Sequence, residues 1–213
     1  MSPVDDVTNE DTIVLPWWRN PLNISLLALA AALCVFAVGM HVGGRESSLD
    51  HNDIDTGFMQ DMRIHHEQAV TMSIVYNGVA PTGNALLSSV AREIVVDQST
   101  EAGRMVQLLR MFHESETNET ETAMSWMGMP VSLHEMPGMA SDAEMQALYE
   151  ARGTEAHRLF ATMMIAHHEG GVHMAEYVVA HGRNPEVVLL ARGIIDSQNG
   201  EIKELRTALA NLG

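Results

Sequence analysis

Two adjacent histidines, His65 and His66, are matched 102 positions later by His167 and His168, and methionines stand at corresponding places around both pairs. Neighbouring side chains on a helix project about 100° apart, so the imidazoles of one pair cannot share a binding direction. Residues one or two turns away complete each direction. Met62 precedes His65 by three positions and His66 by four, Met59 precedes His66 by seven, and Met72 follows His65 by seven. In the second copy Met164 precedes His167 by three and His168 by four, and Met174 follows His167 by seven. Imidazole with thioether is a donor set that selects Cu(I), and imidazole also serves Cu(II). Calcium and magnesium would want carboxylate oxygens, and zinc has little use for thioether.

The bland alternative is packing. A methionine stripe at helical spacing also fills a core, and duplication copies a structural motif as faithfully as a ligand set. Recurrence of the whole set favours metal. The expected ligands are Met62, His65, His66, Met72, Met164, His167, His168 and Met174, with copper as the ion and Cu(I) preferred. A middle segment with Met124, Met127, Met129, His134, Met136 and Met139 is a weaker ligand source and could simply cap the fold. His173, between Glu169 and Glu176, reads as a local ion pair.

Enzymatic patterns are thin. No Glu-x-x-His of the di-iron type occurs, none of the four His-Glu pairs continues to a zinc-protease motif, and no Gly-rich phosphate loop or nucleophile elbow is present. A non-catalytic protein is expected. A structural or interaction subunit of a membrane complex is the alternative, and an oxidase of ferritin type is a more distant one.

The elements that must hold these residues come from an internal repeat. Phe58–Glu67 recurs as Phe160–Glu169, and the match extends to Val70 with Val172 and Met72 with Met174. Ala91-Arg92-Glu93-Ile94 then matches Ala191-Arg192-Gly193-Ile194, with Gln98 and Glu101 matching Gln198 and Glu201 at an offset of 100. The shorter offset means a loop two residues shorter in the second copy. Each copy predicts two helices, near Ile54–Tyr76 and Leu86–Phe112, then near Glu155–Ala180 and Glu186–Leu212. The first break is placed at Asn77-Gly78 and Pro81–Asn84. Two such hairpins pack most simply as a four-helix bundle.

The expected organisation is a disordered acidic tail over 1–21, a transmembrane helix over 22–44 and a first hairpin over 53–112. An acidic and Met-rich linker over 113–140 follows, with Glu114–Thr122 as a solvated stretch. Residues 141–213 supply a capping helix and the second hairpin, and Ser141–Glu144 forms a capping box. Leu22–Gly44 carries no formal charge over 23 positions, enough to cross about 30 Å of hydrocarbon. Trp17 and Trp18 precede it as interfacial anchors do. A cleaved signal peptide competes, but the run exceeds the usual 7–15 residues of such a core, so an uncleaved anchor is preferred. Flanking Arg19, Arg45 and Arg63 do not decide orientation.

Composition narrows the partners. The formal charge is −16 with a single lysine, Lys203, which opposes nucleic-acid binding and attracts cations. Cys34 is the only cysteine, so no internal disulfide can form, and Leu33 before it does not suit lipid attachment. Self-association and a membrane-protein partner stay open.

The pattern Phe58-x3-Met62-x2-His65-His66-x2-Ala69-x2-Met72, with Phe160-x3-Met164-x2-His167-His168, resembles domain-of-unknown-function family 305. Met136-Pro137-Gly138-Met139 and the paired Gln-x2-Glu motifs strengthen the likeness, which covers roughly 53–213. The resemblance implies an all-α, ferritin-like four-helix bundle, exported or membrane-tethered, with copper binding and tolerance reported for some members. With the apolar run read as an uncleaved anchor, the resemblance puts the C-terminal domain outside the cytoplasm, so a single-pass protein of the cell membrane with an extracytoplasmic C-terminal domain is expected. Two departures stand out: an anchor where others have a signal peptide or lipid, and His157 at the place of Asp55.

Overall fold

A computed structural model describes residues 16–43, 49–81 and 83–212. Most of the expected tail, residues 1–15, lies outside the described residues. A 3-10 turn, Trp17–Arg19, leads into α1 (Pro21–Gly43). None of Pro21–Val38 is buried, and the helix is long and apolar enough to cross a membrane. Residues 49–213 make a separate compact unit.

That unit holds α2 (Asp53–Val79), α3 (Ala85–Phe112), α4 (Asp142–Glu150), α5 (Gly153–His181) and α6 (Pro185–Ala210). Local chemistry sets several starts. Asn52 and Asp55 form a capping box on α2, Asn84 accepts from Leu87 N–H on α3, and Asn184 caps α6 with Pro185 at its first position. The Ser141/Glu144 box on α4 forms as expected. One break falls later than predicted. α2 runs through Asn77 and Gly78, because one exposed glycine costs only about 1 kcal/mol while Tyr76 and Ala80 bury fully or nearly so.

α2, α3, α5 and α6 form the ferritin-like bundle. α2 and α5 run antiparallel: Met62 shares a core with Met174, His65 meets His167, and Met72 shares a second core with Met164. Tyr76 stacks on Phe160 with ring centroids 4.2 Å apart. The two apolar layers are related by the repeat, so Phe58, Met105 and Val178 in one answer to Phe160, Leu205 and Tyr76 in the other.

Since α3 ends beside the start of α2 and α5 starts beside its end, the connection from 113 to 152 must travel the length of the bundle, as in ferritin-like topology. It carries a two-stranded antiparallel ribbon, β1 (Thr122–Ala123) with β2 (Val131–Ser132), and then α4. Its acidic part is largely exposed but pinned by Asn118, which donates to Asp61 at 2.8 Å. Met124, Met127 and Met136 enter the core, whereas Met129 and His134 stay exposed.

Candidate metal centre

Between the apolar layers lies a polar one. His65, His66, His167 and His168 all have zero relative exposure, and Gln98 and Gln198 are almost fully buried beside them. His65 and His167 face each other across α2 and α5, with ring centroids 3.7 Å apart and planes tilted by 31°. Burial pushes the His65 imidazolium down to about 3 and that of His167 well below its ordinary value, so both rings are neutral at physiological pH. Neutral imidazole is the ligating form.

Adjacent positions send the other two rings elsewhere. His66 turns toward α3, where Nε2–H donates to Glu101 Oε2 at 2.9 Å, and His168 turns toward α6 and donates to Glu201 Oε2 at 2.5 Å. A carboxylate on one ring nitrogen leaves the other as the lone-pair donor and raises its basicity. His65 Nε2–H donates to the Pro137 carbonyl at 3.0 Å. Nδ1 of all four histidines, Nε2 of His167 and both carboxamides of Gln98 and Gln198 are buried with no hydrogen-bond partner among the described residues. Each such atom costs about 1–3 kcal/mol unless something satisfies it.

The four expected methionines are fully buried on either side of this layer, Met62 with Met174 and Met72 with Met164. The eight residues thus do not meet at one point. His65 and His167 are in contact, His168 lies 6.1 Å from His167 by ring centroid, and His66 faces α3, the partner helix of its own hairpin. Among the described residues no three His, Cys, Asp or Glu side chains stand in a metal-holding group. His173 is exposed and forms none of the expected ion pairs; Glu169 instead takes Arg206 from α6 at 2.6 Å.

The Met136–Met139 run covers the histidine layer. Gly138 adopts φ +80°, and a Cβ there would sit 2.3 Å from the Ala166 carbonyl. Gln68 holds Ala140 from both sides, accepting its N–H at 2.7 Å and donating to its carbonyl at 2.8 Å. Gly170, the repeat partner of Gln68, gives way to Pro137 instead.

Three positioning residues were not legible beforehand. Glu101 and Glu201 are visible only as a repeated spacing from Gln98 and Gln198. Asp61 is buried and accepts from Met124 N–H (2.7 Å), Trp126 Nε1–H (2.8 Å) and Asn118. Its repeat partner is Met163, so no recurrence marks it. The His157 departure is also resolved. Asp55 accepts the N–H groups of Arg183 and Asn184 in the α5–α6 turn, while His157 bonds Tyr76 Oη at 2.9 Å and rests against Gly83 in the α2–α3 turn. Each residue braces the other hairpin's turn.

The family model described as "Domain of unknown function (DUF305)" matches residues 55–209. Among solved structures, the DUF305 protein of Streptomyces coelicolor is 36% identical with a TM-score of 0.69, covering 75% of this chain and 94% of that one. A DUF305 fragment from Deinococcus radiodurans is 29% identical with a TM-score of 0.64, covering 76% and 98%. CopM in its Cu(I)-bound form is 28% identical with a TM-score of 0.55, covering 74% and 96%, and CopM has also been solved with Cu(II) and with silver. No curated protein matches.

Proposed function

Taking as premise that this chain belongs to the DUF305 family, we propose that it binds copper, as Cu(I), for sequestration, tolerance or delivery. The carrying observation is a layer of four fully buried imidazoles, each with an unpartnered nitrogen, bounded on both faces by buried thioethers. Copper would draw its ligands from among Met62, His65, His66, Met72, Met164, His167, His168 and Met174, not from all eight at one point. The donor set fits. His65 and His167, held neutral by burial, need no deprotonation to bind, Glu101 and Glu201 orient His66 and His168, and methionine sulphur supplies the softness that favours Cu(I) over harder ions. Likeness to CopM, solved with copper and silver, supports the same ion class.

The protein has no catalytic role in this reading. α1 serves as a single-pass anchor in the cell membrane, with residues 49–213 on the extracytoplasmic face. Mass spectrometry of the mature N-terminus separates this from a cleaved leader: loss of α1 would refute the anchor.

A second reading, a metal-free structural or interaction module, draws on the complete burial of the same four methionines. Cu(I) competition titration of the full chain in detergent decides. Replacing all four histidines by alanine should weaken binding by about 100-fold or more. Unchanged affinity would remove the copper reading.

A further inference from the structure

The repeat makes the two sides of the histidine layer comparable, and they differ. Between α2 and α3 a cleft of about 360 Å3 is lined by His66, Thr71, Gln98, Ser99 and Ala102, with Glu67 at its lip. Its inner end carries two fully or almost fully buried groups with unpartnered polar atoms, His66 Nδ1 and the Gln98 carboxamide. Thr71, Ser99 and Glu67 at its mouth are exposed.

On the α5–α6 side the residue equivalent to Ala102 is Ile202, which is 5% exposed and fills that place with a branched side chain. Glu169, equivalent to Glu67, is tied across the two helices by Arg206. Glu67 pairs within its own helix, with Arg63, so among the described residues no counterpart of the Arg206–Glu169 pair spans the mouth of the first cleft.

We propose that the α2–α3 cleft is the entrance by which Cu(I) reaches the buried imidazoles, and that the corresponding α5–α6 groove is shut by Ile202 and the Arg206–Glu169 pair. The inference rests on the copper reading above. Glu67 at the mouth attracts the cation, the Gln98 carboxamide oxygen offers a transient ligand as water is shed, and His66 Nδ1 is the first imidazole met. Ala102 is small because the passage runs beside it. In the second copy, where nothing passes, the position packs.

The test uses the apo full-length chain in detergent micelles under argon. Cu(I) is supplied as its acetonitrile complex, uptake is followed by stopped flow, and equilibrium affinity is measured by competition with bicinchoninate. Ala102→Trp should slow uptake about ten-fold while affinity stays within about two-fold, since an obstructed path changes rates and not end states. Ser99→Trp, at the exposed mouth, should do the same and covers the case in which the first variant misfolds. Ile202→Ala combined with Arg206→Ala should speed uptake by opening a second path. Wild-type uptake rates in both tryptophan variants would overturn the entrance. Absence of Cu(I) binding by the unmodified chain would instead overturn the copper reading itself.

Discussion

Pro137 lies against Gly170 so closely that a Cβ at 170 would stand 1.9 Å from its carbonyl oxygen, and that same oxygen accepts the His65 Nε2 proton. One backbone atom therefore fixes both the packing of the covering loop and the tautomer of a proposed ligand.

Gly170→Ala should consequently be costly, since it displaces Pro137 and strips His65 of its acceptor. A loss of about 2–4 kcal/mol is expected in urea unfolding of the full chain, from overpacking plus an unmet buried donor. Gly193→Ala provides the contrast. A Cβ there meets nothing within 4 Å in a helix interior, so a gain of about 0.5–1 kcal/mol is expected. Equal effects at both positions would contradict the packing described.

Glu101→Gln leaves a side chain of the same size but no carboxylate to accept from His66 Nε2–H. Cu(I) affinity measured by bicinchoninate competition should fall about 10–100-fold, with unfolding barely changed. A fall in stability with affinity preserved would make Glu101 purely structural.

Acid should destabilise the metal-free fold. His65 and His167 have depressed folded values from burial, so below about 6.5 the unfolded chain takes up protons that the folded chain refuses. Stability should therefore fall as pH drops below about 6.5, down to about 3 for His65, at roughly 1 kcal/mol per pH unit for each ring that stays neutral in the fold. His51 runs the other way. It is partly desolvated, yet its bonds to the Leu49 carbonyl and Glu114 raise it. Its contribution is full below the unfolded value and fades as pH rises through the folded one. Urea midpoints across pH 4–8 for the wild type, His65→Gln and His51→Gln check both slopes.

Asp61→Ala should cost about 3 kcal/mol by removing a buried acceptor shared by Met124, Trp126 and Asn118. Trp126 emission should shift red as the segment detaches. Asp61→Asn, keeping one acceptor oxygen, should lose less.

Duplication and helical periodicity made the bundle legible, because a motif copied at constant offset announces both the element and its partner. The ring directions of His65 and His66 were readable in part, since a step along a helix turns a side chain by about 100°. Which neighbour each ring meets was not readable. Glu101 lies 35 positions from His66, so that bond depends on the register in which α3 packs back on α2; Pro137 lies 72 from His65, so that one depends on how the long connection lies across the bundle. Asp61 was hidden for the same reason. A lone carboxylate in a helix looks solvated until a segment about 60 residues away folds over it.

The crossed bracing by Asp55 and His157 bears on how the molecule comes apart. Each half supplies part of the fastening of the other's turn, so neither can detach without loosening both. A proteolytic nick in the exposed Glu114–Thr122 stretch should leave two fragments that still migrate together and melt as one.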